Sequence, residues 1–279
     1  AADWSGDRDL RRFVATAAEA GLHVVVRLGP WCHGEVRNGG LPDWIVARHG
    51  SSARTDAPAY LADVRRHFAA IAARLTGLRW REGGPVIAFQ IENEYGGPAE
   101  HLLTLKRLAC EVGLDAPYYT RTGWPELSTP MPFGELLPLY GAYPEGFWDR
   151  ELTAMPGFYP ANFRFSPLRT DNAIATDLLG RRDAADSPDT ARYPFLTCEL
   201  GGGMMSSYHR RIRISPTDIS ALALVKLGSG GNLPGYYMYH GGVNPDGRTS
   251  LQESQATGYW NDLPGKNYDF QAPVGAAGQ

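Results

Sequence analysis

The stretch "PVIAFQIENEYG" (residues 85–96) decides which fold and which kind of site the sequence predicts. Its first part, "PVIAFQI", is short and almost continuously apolar, which is typical of a strand buried on both faces of a parallel sheet. Two glutamates follow at once, Glu92 and Glu94, on either side of Asn93. Because parallel α/β folds place their active sites at the carboxyl ends of their strands, we expect these polar residues to belong to a functional site.

The sequence on either side of this stretch alternates between helix and strand patterns. "DLRRFVATAAEAG" (9–21) carries apolar residues at helical spacing, and "LHVVVRLGP" (22–30) follows as a short apolar strand. A second helix, with Leu61, Val64, Phe68, Ile71 and Leu75 on one face, precedes residue 85. The same alternation predicts six strands, at about 23–28, 85–91, 117–121, 136–140, 194–198 and 235–240.

Short apolar strands separated by helices favour a parallel sheet covered on both faces, either a (β/α)8 barrel or an open doubly wound sheet. A barrel needs eight strands. Either two strands lie hidden in residues 142–193, or the chain begins after them. Because 142–193 is rich in Pro, Arg and Asp and shows no buried-strand pattern, we interpret it as a long loop insertion and favour the second alternative.

Composition excludes several functional classes. The 279 residues are 43% hydrophobic, enough for a sizeable core, and 27 basic against 30 acidic residues give a net charge of -3. No basic stripe appears, so we expect no nucleic-acid partner. No apolar run approaches the roughly 20 residues of a membrane span. The three cysteines form no CxxC pair, and HExxH, P-loop and GxSxG motifs are absent from the sequence, so no metal or cofactor is predicted.

Glutamates follow three of the predicted strands: Glu35, then Glu92 and Glu94, then Glu199 after "PFLTC". Convergent carboxylates suit glycoside hydrolysis, in which one carboxyl protonates the leaving oxygen and another attacks the anomeric carbon. Aromatic rings suit the apolar C–H faces of sugars. They crowd the same strand ends, as Trp31, Trp44, Tyr95, Trp124, Tyr237 and Tyr239.

Six motifs, taken together and in order, resemble family 35 glycoside hydrolases, the β-galactosidase-type (β/α)8 retaining enzymes. They are "DWSGDRDLRRF", "RLGPWCHGEVRNGGLPDW", "GGPVIAFQIENEYG", "TCEL", "GYYMYHGGVNP" and "NYDFQAP". The resemblance covers almost the whole chain. It implies that residues 1–279 form one TIM-type catalytic barrel that lacks its first two strands, with β-sandwich domains downstream, in a secreted or periplasmic protein. The implied activity is removal of terminal β-galactosyl residues from oligosaccharides or polysaccharides.

The resemblance also implies roles for the acidic residues. Glu94 corresponds to the family's acid/base and Glu199 to its nucleophile, while Asn93 corresponds to the partner of the sugar's 2-hydroxyl. We expect the two catalytic carboxyls to lie about 5 Å apart, as in retaining enzymes. Glu92 points away from Asn93 if the strand persists, and we expect it to be structural, in a salt bridge to a neighbouring strand end.

Further residues resemble the family's sugar-binding positions. Glu35, with Gly34 beside it, corresponds to a glutamate that binds sugar hydroxyls. Tyr237 matches a tyrosine near the nucleophile, and Tyr268 and Phe270 match two aromatics that close the site, although the family commonly has tyrosine at the position of Phe270.

One departure from the family pattern leaves the substrate open. The sequence after Glu199, "LGGGMM", has glycines where the family has an aromatic-rich segment. An exo-glycosidase for another β-linked sugar, such as a β-glucosaminide, is therefore an alternative. A catalytically silent carbohydrate-binding remnant is a second alternative, because six strands would leave a barrel open, with unpaired edges.

Overall fold

The computed structural model describes residues 2–34, 36–121, 127–144, 162–165, 169, 192–202, 214–244 and 267–279. Contacts between residues divide the chain into two compact units. The first comprises Ala1–Cys32 and Leu41–Leu137, and the second His33–Gly40 and Pro138–Gln279. Each unit is described separately below.

The first unit contains three parallel strands covered by helices. Strands β1 (Val24–Gly29), β2 (Val86–Ile91) and β3 (Tyr118–Arg121) pair in that order, β1 with β2 and β2 with β3. The helices are α1 (Leu10–Glu19), α2 (Asp43–His49), α3 (Pro58–Arg74) and α4 (Ala99–Glu111). In the register of the first pair, Val26 lies opposite Phe89 and Arg27 opposite Gln90.

The helices of this unit pack through the apolar faces that their spacing predicts. On α3, which begins at Pro58, the residues Val64, Phe68 and Ile71 are all buried. Each fully buried side chain of this kind stabilises the fold by about 1.5–3 kcal/mol. On α1, in contrast, Val14 is fully buried whereas Phe13 is 71% exposed, so the described residues cover only part of its apolar face.

The second unit also contains three parallel strands. Its strands β4 (Leu137–Ala142, all but the first residue), β5 (Thr197–Gly201) and β6 (Tyr236–Tyr237) pair in that order. Helix α5 (Pro216–Gly228) joins β5 to β6, and two short antiparallel strands follow, β7 (Gly242–Val243) and β8 (Asn267–Tyr268). One core cluster of this unit consists of Ala142, Leu200, Leu222 and Ala223, with Phe163 packed against it.

A side-chain cap opens α5. Ser215 is the N-cap residue, and its side-chain oxygen accepts a hydrogen bond from the backbone N–H of Thr217 at 3.2 Å. Pro216 occupies the first turn, where its missing N–H leaves no intrahelical bond unmade.

The parallel strands with intervening helices confirm the predicted α/β class, in the βα order of a TIM-type barrel. The last predicted strand, at about 235–240, is shorter than expected. The chain beyond Tyr237 pairs instead with the C-terminal segment, since Gly241 N–H donates to the Val274 carbonyl at 2.7 Å and Val274 N–H donates to the Tyr239 carbonyl at 3.2 Å.

Two further predictions concern the long loop insertion and membrane-spanning helices. The loop predicted at about 142–193 begins where β4 ends, at Ala142, but lies mostly outside the described residues, so its extent stays a prediction. Within the described part of the chain, no helix has the length and apolar character needed to cross a bilayer.

Candidate active site

A tight turn follows β2 and carries the two glutamates singled out in the sequence. Glu92 and Glu94 have backbone φ angles of 53° and 49°, in the left-handed region that costs a residue other than glycine about 1–3 kcal/mol. The N–H of Glu92 donates to the Gly29 carbonyl at 2.9 Å, which ties the turn to the end of β1. Glu92 is completely buried and Glu94 is 8% exposed. The surrounding structure therefore holds the backbone of both glutamates in a conformation that is unfavourable by itself.

Glu92 forms a buried ion pair with Arg54. The guanidinium Nε lies 3.2 Å from Oε1 of Glu92, and Nη2 lies 2.8 Å from Oε2. The salt bridge expected for Glu92 is present. Its partner differs from the one expected, because Arg54 lies in the loop before α3 rather than at a neighbouring strand end.

Asn93 is held from the strand side by Gln90. The side-chain Nε2 of Gln90 donates to Oδ1 of Asn93 and to the Glu92 carbonyl, each at 3.0 Å, and Gln90 Oε1 accepts from Arg27 Nε at 3.0 Å. Asn93 is 3% exposed. The side-chain oxygen of Asn93 accepts from Gln90, and the predicted contact of Asn93 with the sugar's 2-hydroxyl stays a prediction.

Tyr95, next to Glu94, packs among polar groups as a neutral ring. Burial, and then the negative charge of Glu92, raise the pKa of Tyr95 to about 12, so its hydroxyl keeps its proton at any ordinary pH. That hydroxyl lies 3.5 Å from the Arg54 carbonyl, and the ring lies 5.2 Å from the ring of His101. Tyr95 thereby contributes packing and a hydrogen bond rather than a charge.

Glu199, in the second unit, lies on β5 with 4% of its surface exposed. The hydroxyl of Tyr143 donates to its Oε2 at 3.3 Å. Two glycines after Glu199 make room for this contact and for the next strand. A Cβ on Gly201 would lie 2.8 Å from the Tyr143 ring, and a Cβ on Gly202 would lie 2.6 Å from the Met238 carbonyl oxygen.

Three predicted aromatic residues come together in the second unit. The hydroxyls of Tyr237 and Tyr268 lie 3.0 Å apart. The ring of Phe270, which is 2% exposed, lies 5.2 Å from the Tyr237 ring and 5.0 Å from the Tyr268 ring. Tyr268 reaches this cluster because β8 pairs with β7, with Gly242 opposite Tyr268.

The loop after β1 holds the remaining predicted residues. Glu35 lies outside the described residues, so its role stays a prediction. Gly34 donates its N–H to the Gly39 carbonyl at 3.0 Å and accepts from the Val36 N–H at 2.8 Å. These bonds give Gly34 a place in a tight loop, and its predicted contact with sugar stays a prediction.

Sequence reasoning missed three residues that shape the site. Gln90 has a signal in the sequence, as the one polar residue in "PVIAFQI", and Tyr143 directly follows the apolar run that becomes β4. Arg54 has none, because "SSARTDAP" reads as an ordinary loop and its partner lies 38 positions away. Among the described residues, no three or more His, Cys, Asp and Glu side chains are grouped so as to hold a metal ion.

Comparison with known proteins covers the whole chain. A family model described as Glycosyl hydrolases family 35 matches residues 1–279. The mouse (Mus musculus) beta-galactosidase is 28% identical over 284 residues, 99% of this chain and 38% of that protein. Human (Homo sapiens) beta-galactosidase-1-like protein 2 is 43% identical over 94 residues, 34% of this chain and 15% of that protein. The chain thus spans less than two fifths of the length of these curated relatives.

A solved structure, the beta-glucuronidase of an uncultured Clostridium sp., is also similar. It aligns with a TM-score of 0.48 and 10% sequence identity over 96% of this chain and 40% of that chain. A likeness at this level supports no argument about function.

Proposed function

Because the chain belongs to glycosyl hydrolases family 35, we propose that it is the catalytic part of an exo-glycosidase that releases terminal β-galactosyl residues with retained configuration. One observation carries the proposal. Buried glutamates lie on or just beyond parallel strands, Glu199 within β5 and Glu94 three residues after the end of β2, in a chain that matches the family over its whole length. The names of the relatives, beta-galactosidases, support galactose as the sugar.

The proposed reaction is a double displacement. In the first step a carboxylate oxygen of Glu199 bonds to the anomeric carbon as the bond to the leaving oxygen breaks, and Glu94 gives its proton to that oxygen. In the second step Glu94 takes a proton from water, whose oxygen bonds to the anomeric carbon as the bond to Glu199 breaks. Two inversions return the sugar to its original configuration.

The contacts of the described residues supply a physical basis for these roles. The Tyr143 hydroxyl, donating to Glu199, orients the carboxylate that attacks the anomeric carbon. The Nδ2 of Asn93, left as a donor by the bond from Gln90 to its oxygen, fits a hydrogen bond to the sugar's 2-hydroxyl that strengthens in the transition state. Tyr237 and Tyr268, which are partly exposed and pack on the buried ring of Phe270, offer apolar ring faces to the sugar's C–H groups.

The domain assignment is part of the same proposal. We place residues 1–279 in one catalytic barrel, with residues from about 142 to 193 as an insertion. The substrate is a β-galactoside-containing oligosaccharide or polysaccharide, and Glu35 and Gly34 belong to the surface that binds its hydroxyls.

The test uses the intact protein. A panel of nitrophenyl β-glycosides should give the highest kcat/KM for the galactoside, and proton NMR of the first product should show the β-anomer. A 2-fluoro galactoside should inactivate the enzyme and add its mass to the peptide that contains Glu199. Preference for a glucosaminide would change the sugar but keep the mechanism. An α-anomer as first product, or label on another residue, would overturn the mechanism, and sugar binding without any turnover would establish a silent binding protein.

A further inference from the structure

Arg54 lies at the centre of the contacts that fix the turn after β2. Its Nε and Nη2 bond the two carboxylate oxygens of Glu92, at 3.2 and 2.8 Å, and Nη2 also donates to the Asn93 carbonyl at 3.2 Å. One planar side chain thus bonds both the residue that opens the turn and the backbone inside it. A guanidinium suits this arrangement because its donors form a rigid fork that matches a carboxylate.

The turn needs such support. Left-handed φ angles at Glu92 and Glu94 are unfavourable for residues with a side chain, and they persist only where the surroundings hold them. Besides Arg54, the Oε2 atom of Glu92 accepts from the Asn93 N–H at 3.1 Å. The Glu92 side chain is therefore folded over its own turn, with Arg54 holding it there from outside.

Arg54 is itself held in a stacked position. Its guanidinium carbon lies 4.5 Å from the centroid of the Trp31 ring and 5.5 Å from that of Tyr95. The Arg54 side chain is 24% exposed, whereas that of Glu92 is fully buried. A lysine at this position would keep the charge but lose both the fork and the flat face that stacks on the rings.

We propose that Arg54 is a positioning residue for the glycosidase reaction, holding the left-handed turn that aims the Glu94 carboxyl at the leaving oxygen. The inference rests on the proposed function and deepens it, because it names the group that sets the geometry of proton transfer. Arg54 touches no reacting atom in this scheme. Since a misplacement of about 1 Å in a reacting group can slow a step by about 100-fold, loss of Arg54 should slow chiefly the step that Glu94 assists.

The test compares two substrates on one preparation of the intact protein carrying Arg54→Lys. Methyl β-galactoside needs a proton on its leaving oxygen, whereas dinitrophenyl β-galactoside has a leaving group that departs without one. The ratio of kcat/KM, dinitrophenyl over methyl, should rise by about 10- to 100-fold in the variant, less than the roughly 100- to 10,000-fold that complete general acid catalysis contributes. A merely unstable variant leaves this ratio unchanged, because misfolded protein lowers both rates equally.

Two further variants, a control and a reference, are measured in the same way. Arg79→Lys is the matched control, since Arg79 forms a similar fork with Glu82, at 2.7 and 2.6 Å, at a turn that carries no proposed site residue. Its ratio should stay within about twofold of that of the unsubstituted protein. Glu94→Gln is the reference for complete loss of the acid, and its ratio should rise at least as far as that of Arg54→Lys.

A second variant keeps the inference testable if Arg54→Lys accumulates poorly. Glu92→Gln removes the other half of the pair and should raise the same ratio. Because the two residues act as a unit, the double variant should show no larger ratio than the greater single one. Equal ratios for Arg54→Lys, Glu92→Gln and Arg79→Lys, beside a raised ratio for Glu94→Gln, would overturn the inference alone. An unchanged ratio in Glu94→Gln would overturn the proposed acid itself, and the inference with it.

Discussion

Tyr143 reaches Glu199 because small residues follow the carboxylate on β5. The space that a Cβ on Gly201 would take is filled by the Tyr143 ring, and the hydroxyl of that ring donates to Glu199 at 3.3 Å. The absence of a side chain at Gly201 therefore has a physical role, because it lets the Tyr143 ring pack close to the strand.

Removing this hydroxyl tests its role at the scale of one residue. Tyr143→Phe keeps the ring but removes a hydrogen bond to a charged group, which is worth about 1.5–3 kcal/mol. If Tyr143 stabilises the attacking carboxylate, kcat/KM on a β-galactoside should fall by about 10- to 100-fold. Steady-state kinetics on the intact protein measure the change.

Tyr236→Phe serves as the control for that substitution. Tyr236 precedes Tyr237 on β6 and is 41% exposed, so the loss of its hydroxyl should leave kcat/KM nearly unchanged. Equal kcat/KM in Tyr143→Phe and Tyr236→Phe would show that the bond to Glu199 has no part in catalysis.

At the scale of elements, local sequence pattern predicted more than it missed. All six parallel strands occur within a few residues of their predicted positions, because short apolar runs between helices leave little choice of structure. The antiparallel pairing of β7 with β8 was not predicted. Its strands are two residues each and come from segments 24 positions apart, Val243 and Asn267, so no local period marks them.

The residues of the candidate site also differ in how far local sequence could predict them. Residues in contiguous motifs, such as Asn93 and Glu94, could be proposed from the sequence because their place after a strand is visible in it. Residues that act through a distant partner were not. Arg54 contacts a carboxylate 38 positions away, and Tyr143 contacts one 56 positions away, and neither pairing leaves a trace in local composition.

The turn that leads into β2 yields a prediction about pH. Hydrogen bonds from the Arg79 side chain, chiefly, lower the pKa of Glu82 to about 2 from 4.5, and the Gly77 N–H adds a further bond. The ionised form is thus favoured in the folded state. Its stabilising effect should be complete above about pH 4.5 and should disappear as the pH falls towards about 2.

Denaturation of Glu82→Gln across this range measures the effect. The difference in urea midpoint between the unsubstituted protein and the variant should be largest near neutral pH and should shrink on acidification. Glu19→Gln, at the exposed end of α1, is the control and should show a difference that changes little with pH. A Glu82→Gln difference that stays constant down to about pH 2 would contradict the assignment.

At the scale of the whole molecule, the family match concerns which family the chain belongs to, and the length of the relatives concerns how their activity is tested. The match spans residues 1–279, so membership of the family concerns the entire chain. The chain nevertheless covers 38% of the mouse beta-galactosidase, so activity is properly measured on the intact protein. Ligand binding offers a measure of the sugar site that does not depend on turnover.

Galactose should therefore stabilise the folded protein. A ligand that binds the folded state alone raises the free energy of unfolding by about 2.7 kcal/mol at 100 times its Kd. Thermal denaturation of the intact protein should show an increase in Tm with galactose and a much smaller one with glucose at equal concentration. N-Acetylglucosamine is the third sugar to compare, and a larger increase with it than with galactose would favour the glucosaminide alternative.

The joined hydroxyls of Tyr237 and Tyr268, with Phe270 against both rings, have a consequence for protein engineering. The three side chains share one small volume although Tyr268 lies 31 positions after Tyr237 in the chain. A library intended to change sugar preference should randomise these three positions jointly. A single replacement would have to fit against two neighbouring side chains that had not changed. A change to the segment around β8, which carries Tyr268 and precedes Phe270, would alter the same cluster as surely as a mutation of Tyr237.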